Sequence, residues 1–266
     1  MWIILGFLAA LLIGIILGLI GGGGSILTVP ILKYIFDFNV AEATAYSLFV
    51  VGSTALVGAI ISAKHRLIDF KTGLIFAVPA FIGVYISRKF LAPAVQGKVF
   101  YIKKFLLDGD IAIMVLFAIL MLLAAFFMIR GQANNNHELE KGVKYNIPML
   151  IIEGFIVGVF TGFVGAGGGF LIIPALVLFA RLPMKKAVAT SLIIIAIKSL
   201  FGFIGDIENQ DSDIDWLFLL SFTLFSIVGI FIGLYLNTFI DGKRLKKGFG
   251  WFVLVMAVYI LIEEII

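Results

Sequence analysis

The stretch GLIGGGGSILTVPIL, Gly18 to Leu32, places four consecutive glycines, Gly21, Gly22, Gly23 and Gly24, inside an apolar run that hydropathy alone assigns to a membrane helix. Each glycine in a helix interior costs about 1 kcal/mol against alanine, so four in a row predict a break. The lengths on either side agree. Met1 to Ile20 supplies 20 residues, about 30 Å as helix. Ile26 to Phe36 adds 11 more before Asp37, and one straight helix through both would overshoot a hydrocarbon core of about 30 Å. The expected arrangement is a helix, a glycine break, and a second short helix restarting near Ser25 or Ile26.

The whole chain supports a membrane setting. Its 266 residues are 62% hydrophobic and 14% charged, with mean hydropathy +1.17; soluble domains sit nearer ~45–50% apolar and ~25% charged. Eight apolar segments recur: Trp2–Ile20 with its continuation to Phe36, Ala41–Ala63, Phe70–Phe90, Ile111–Ile129, Ile147–Phe179, Ala187–Gly205, Trp216–Ile240 and Leu245–Ile262. Each is near the length a spanning helix needs, and the alternating pattern of a membrane β-barrel is missing. The expected fold is an all-α polytopic membrane protein of about eight transmembrane helices, in a bacterial-type inner (plasma) membrane. The start, MWIILGFLAALLIG, has no basic n-region and reads as a retained helix rather than a cleaved signal.

Several chemistries are excluded or disfavoured. The chain has no cysteine, so disulfides, thiol catalysis and Cys-ligated metals drop out. His65 and His137 fall in loops, and no HExxH pattern occurs. An intramembrane enzyme lacks a nucleophile with a base, so no catalytic residue, cofactor or metal is expected. The net charge of +4 sits at helix ends, where it reports topology rather than nucleic-acid binding.

The two halves repeat one another. At an ungapped offset of 144, Gly18–Leu32 falls on GFVGAGGGFLIIPAL, Gly162 to Leu176. Gly21, Gly23, Gly24, Leu27, Pro30 and Leu32 land on Gly165, Gly167, Gly168, Leu171, Pro174 and Leu176. Ser47 lands on Ser191, and Gly58 on Gly202. At an offset of 146, Ile68-Asp69-Phe70 falls on Ile214-Asp215-Trp216, and Gly83 on Gly229. The expected organisation is a first transmembrane repeat (1–130), a polar linker (131–146) and a second repeat (147–266), each with a glycine-broken discontinuous helix.

Basic residues suggest an orientation. Loops after segments one, three, five and seven carry 13 Lys and Arg, against 6 on the other side. The positive-inside bias puts those odd loops in the cytoplasm and both termini outside. With four passes per half the repeats are parallel; an extra partial or full crossing at each glycine segment makes them inverted.

Broken backbone in a membrane is tolerated only where protein or a polar cavity covers it. A helix restarting after each break points free N–H groups and its positive end into that cavity, which favours an anion. The candidate binding residues are Gly21, Gly22, Gly23, Gly24, Ser25, Pro30 and Ser47 from the first half. From the second they are Gly165, Gly167, Gly168, Gly169, Pro174, Ser191 and Lys198. Lys198 lies inside ATSLIIIAIKSLFGFIG, where it either faces the cavity or snorkels to the surface. Isolated glycines such as Gly14, Gly83, Gly158 and Gly229 are expected to serve helix packing. Glu153 is expected at the interface, a coupling carboxylate being the alternative. The partners are then a small anion and membrane lipid; the apolar exterior allows a homodimer, and a coupling proton is compatible with the site.

The paired glycine-to-proline motifs, each followed by an A-x-(A)-x-S-L stretch, the two I-D-[FW] triplets and the closing LKKGFGWFVLVMAVYIL together resemble the TauE/SafE sulfite-exporter family, also called the four-toluene sulfonate uptake permease family. The resemblance covers both halves. It implies a secondary carrier of a sulfur-containing anion such as sulfite or an organosulfonate. The residues by themselves leave open a passive anion channel or a carrier of another small anion.

Overall fold

The computed structural model describes residues 2–95, 99–102, 105–130, 147–164, 169–178, 180–207 and 214–265. The first half forms α1 (Trp2–Ile20), α2 (Gly23–Tyr34), α3 (Val40–Lys64), α4 (Phe70–Ile86) and α5 (Gly109–Arg130). The second forms α6 (Ile147–Val164), α7 (Gly169–Leu178), α8 (Met184–Ile207), α9 (Trp216–Phe239) and α10 (Gly242–Ile265). α4 continues into a π-helical turn, Ser87–Leu91. Among the described residues, strand occurs in one antiparallel hairpin of β1 (Val99–Ile102) and β2 (Phe105–Asp108), with Val99 opposite Asp108. Its strands are rich in the β-branched and aromatic residues that suit pleated backbone.

Among the described residues, seven helices (α3, α4 with its extension, α5, α6, α8, α9 and α10) are long and apolar enough to cross a membrane, and α1 is a shorter apolar helix. The chain is a multi-pass membrane protein. α3 and α8 are its most buried helices and form the centre.

The starts and stops of the helices follow local chemistry. Asn39 caps α3 by accepting from the Glu42 N–H at 2.9 Å. Asp69 caps α4 through Thr72 N–H, and Asp215 caps α9 through Phe218 N–H, each at 3.0 Å. α2 and α7 end alike. Asp37 (φ 58°) and Arg181 (φ 54°) adopt the left-handed conformation, and the next N–H bonds back six residues, Phe38 to Leu32 O at 3.2 Å and Leu182 to Leu176 O at 3.0 Å. These residues correspond at the offset of 144.

At the first glycine cluster the chain reverses. Gly21 takes φ +79°, which a side chain rarely adopts. A Cβ on Gly24 would lie 2.6 Å from Ile13 O, so α2 folds back on α1. The ring of Phe36 then occupies the space over Gly6, bringing the end of the α2 segment back to the start of α1. α2 therefore starts two residues before the expected Ser25 and runs opposite to α1.

Close glycine contacts give the other directions. α1 and α9 run parallel, with Gly14 against Ser226 and Gly18 against Leu234. α4 and α6 run parallel, with Gly154, Gly158 and Gly162 against Phe76, Ala80 and Val84. α3 and α8 run antiparallel, with Gly52 against Leu200 and Gly202 against Leu48. α10 crosses α5 with Gly250 against Ile129. The isolated glycines thus let backbones approach, as small residues do between membrane helices.

These directions sort the connections onto two ends. At the first end, Lys33 and Tyr34 bond Glu264, and the Tyr46 hydroxyl accepts from Asp215 N–H at 2.8 Å. At the second, Thr190 Oγ1 accepts from Asp69 N–H at 3.0 Å, and Lys185 Nζ donates to Thr238 O at 3.2 Å. The expected grouping of Lys33 and Arg88–Lys104 with Arg181–Lys186 and Lys243–Lys247 is corrected here. α2 runs back along α1, so Lys33, Arg88 and Lys89 lie at the first end, and Arg181–Lys186 and Lys243–Lys247 at the second; Lys98, Lys103 and Lys104 lie outside the described residues.

Candidate functional site

Two glycine segments from opposite halves meet. A Cβ on Gly169, the first residue of α7, would sit 2.5 Å from Gly22 Cα and 2.7 Å from Ile195 Cδ1. A Cβ on Gly21 would sit 2.5 Å from Ser191 Oγ and 2.9 Å from Val188 O. Gly21, Gly22, Gly169 and Ser191 therefore come together beside α8. Ser191 Oγ donates to Val188 O at 2.8 Å. Gly23 opens α2, and Gly24 packs on α1. Pro30 and Pro174 lie inside α2 and α7, roughly 10 Å and 8 Å along their helices from the start. Ser47 is buried, and its Oγ has no hydrogen-bond partner among the described residues. Gly165, Gly167 and Gly168, and the side chain of Ser25, lie outside the described residues.

Lys198 does not snorkel. It is 1% exposed, and its Nζ donates to Thr161 Oγ1 at 2.9 Å. It stands one helical turn beyond Ile195, the residue that touches Gly169. Glu153, on α6, has both carboxylate oxygens buried without a partner among the described residues.

Arg88, Asp206 and Thr44 form a site that the sequence reading missed. Arg88 is 2% exposed and Asp206 6%. Arg88 Nη1 donates to Thr44 Oγ1 at 3.1 Å and stands 3.6 Å from Asp206 Oδ2. A basic residue beside Lys89 at an apolar segment's end looks like a headgroup anchor. The repeat held the corrective signal: at the offset of 146 Arg88 corresponds to Leu234, which is inside α9. Arg88 therefore sits within a span.

This buried polar belt links both sites. Thr161, which holds Lys198, precedes Gly162, whose Cβ would meet Ser87 Cβ at 3.1 Å, and Ser87 precedes Arg88. The buried groups there are the donors of Lys198 and Arg88 together with the carboxylate of Asp206. No group of three or more acidic or histidine residues that could hold a metal ion occurs among the described residues. A separate cleft of about 560 Å³ opens at the first end, lined by Lys33, Tyr34, Asp37, Asn39, Ile111 and Glu263 among others.

The model of the family described as sulfite exporter TauE/SafE matches residues 6–260. A probable membrane transporter protein of Xylella fastidiosa strain 9a5c is 30% identical over 255 residues, covering 94% of this chain and 91% of that one. The probable membrane transporter protein YunE of Bacillus subtilis is 28% identical, covering 91% and 90%. A probable membrane transporter protein of Haemophilus influenzae is 27% identical, covering 98% and 99%. No solved structure matches the chain. Together with the multi-pass helical architecture, these matches place the chain in the TauE/SafE sulfite exporter family of membrane transporters.

Proposed function

We propose that this transporter exports a small sulfur-containing anion, sulfite or an organosulfonate, by alternating access at the crossing of its two glycine segments. The observation that carries this reading is the contact of Gly22 with Gly169 one turn from the buried Lys198. Glycine on both sides allows close backbone approach, and the short helices α2 and α7 start there with free N–H groups. Gly21–Ser25, Gly165–Gly169, Ser47, Ser191 and Lys198 surround the substrate in this reading, while Pro30 and Pro174 shape the two short helices.

The halves act as inverted repeats. Exchanging α1–α5 with α6–α10 turns the α1–α9 packing into α6–α4, and maps the α3–α8 and α5–α10 pairs onto themselves. Five passes per half then place the second copy upside down around a midplane site, the architecture that lets one half rock against the other.

Orientation follows from the corrected ends. Among the described residues the second end carries Lys64, Arg66, Lys71, Arg130, Arg181, Lys185, Lys186, Lys243, Arg244, Lys246 and Lys247, against Lys33, Arg88 and Lys89 at the first. The positive-inside bias puts the second end in the cytoplasm and both termini outside a bacterial inner membrane. The membrane potential then favours anion exit by about 2.3 kcal/mol per charge at 100 mV. A coupling proton and a homodimer are compatible additions.

The test is flux of labelled sulfite, sulfoacetate, taurine and chloride in proteoliposomes. Saturable flux of a sulfur-containing anion, with counterflow, is expected. Flux that stays linear in concentration would indicate a channel, and flux of chloride alone would remove the sulfur substrate.

A further inference from the structure

Arg88, Lys198 and Asp206 are the charged residues buried as whole residues among those described, and their formal charges sum to +1; the carboxylate oxygens of the partly exposed Glu153 are buried as well. Buried charge left unbalanced is strongly destabilising. Arg88 Nε and Nη2 are also buried without a hydrogen-bond partner among the described residues, while Nη1 is held by Thr44 and Asp206. A buried donor without a partner is costly, and more so when it carries charge. The unused edge, Nε with Nη2, is one of the two parallel forks by which a guanidinium grips two oxygens at once. It sits in a π-helical turn, an irregularity frequent at functional sites.

We infer that the Nε–Nη2 edge of Arg88 is a second anion seat, outward of the glycine crossing, which takes a singly charged oxyanion with two coplanar oxygens, such as a sulfonate or hydrogensulfite. Asp206 is the resident counter-anion, and the bound oxyanion competes with it for the guanidinium. The inference rests on the anion-export reading and extends it. Lys198 serves the crossing and Arg88 the exit, with the Thr161–Gly162–Ser87 contacts between them. The seat occurs once. At the repeat offsets Arg88, Asp206 and Lys198 correspond to Leu234, Ser62 and Thr54, so the charged exit belongs to the first end alone.

The experiment titrates the purified full chain with methanesulfonate and, separately, chloride, following heat or thermal stabilisation. Wild type is expected to bind methanesulfonate in preference to chloride, which cannot bridge two N–H groups. Arg88→Lys keeps the charge but loses the fork, so the dissociation constant should rise at least tenfold. Asp206→Asn removes the competitor and should tighten binding at least threefold, a gain that a purely structural ion pair would not produce. Should Arg88→Lys fail to fold, the double variant Arg88→Gln/Asp206→Asn removes both charges and should bind at least tenfold more weakly. Wild-type affinity in Arg88→Lys or in the double variant overturns the seat and leaves the export reading intact. Absence of methanesulfonate binding in wild type instead overturns the anion reading itself.

Discussion

The backbone N–H of Asp215 donates to the hydroxyl of Tyr46 across 2.8 Å, tying the start of α9 to the start of α3 at the first end. Its exchange-related counterpart joins Asp69 N–H to Thr190 Oγ1 at the second end, over 3.0 Å. Tyr46 and Thr190 correspond at one repeat offset, and the two aspartates at the other. If these bonds latch opposite ends of one rocking unit, Tyr46→Phe and Thr190→Val should shift access in opposite directions. Each loses a bond of about 1 kcal/mol, enough for a several-fold change in population. Maleimide labelling of single cysteines at each end measures that shift, and a common direction for both variants would refute the latch pair.

The fold-back of α2 fixes sidedness. The chain has no cysteine, so it is a ready background for added ones. Lys89 and His65 are both exposed, at the first and second ends respectively. In intact cells an impermeant maleimide should label Lys89→Cys and leave His65→Cys unlabelled until the membrane is opened. The reverse pattern would restore the four-pass topology.

Gly169→Ala pushes a methyl to within 2.5 Å of Gly22 Cα, which is backbone and cannot rotate away. Overpacking of this kind costs about 1–3 kcal/mol. Gly21→Ala adds the left-handed penalty of about 1–2 kcal/mol. Both should lower Tm and cut sulfite flux more than tenfold. Gly248→Ala, which meets nothing within 4 Å, is the control and should keep both.

Lys198→Met keeps the length of the side chain and removes its charge. Lys198 is held by a neutral hydroxyl rather than a counter-ion, so removing its charge also removes the cost of burying it. The variant should therefore hold its Tm or gain a few degrees while sulfite flux falls at least tenfold. Unchanged flux would return Lys198 to a structural bond with Thr161.

Some of this architecture was readable before any coordinates. The 144 offset pairs Asp37 with Arg181 in matching left-handed turns, because identical punctuation after a proline-containing short helix demands the same backbone. In the first half α1 ends at Ile20 and α2 begins at Gly23, on either side of residues that weaken a helix wherever it lies. The reversal was not readable. Composition says that a helix stops at Gly21 but not at what angle the chain leaves, and that angle came from Gly24 seating on Ile13. The same blind spot moved two basic groups to the wrong end. Arg88 was hidden because a cation beside a second cation at an apolar edge has the signature of a headgroup contact. The repeat offset, which sets it on Leu234 inside α9, and its partners Thr44, 44 residues before it, and Asp206, far along the chain after it, reveal that it lies within a span.

If the halves are inverted repeats of five passes each, as proposed, that arrangement bears on how such a molecule is made. A polypeptide with an odd number of crossings cannot pair with an upside-down copy of itself unless the ribosome-bound chain enters the bilayer both ways round. An ancestral half would have needed loops almost free of lysine and arginine bias, giving mixed insertion from one message. Fusion through the 131–146 segment removes that need, because each copy's orientation is then dictated by its neighbour. In that reading the basic residues of the second end, such as Lys64, Lys185 and Lys247, would lock in a choice that an ancestral half left to chance.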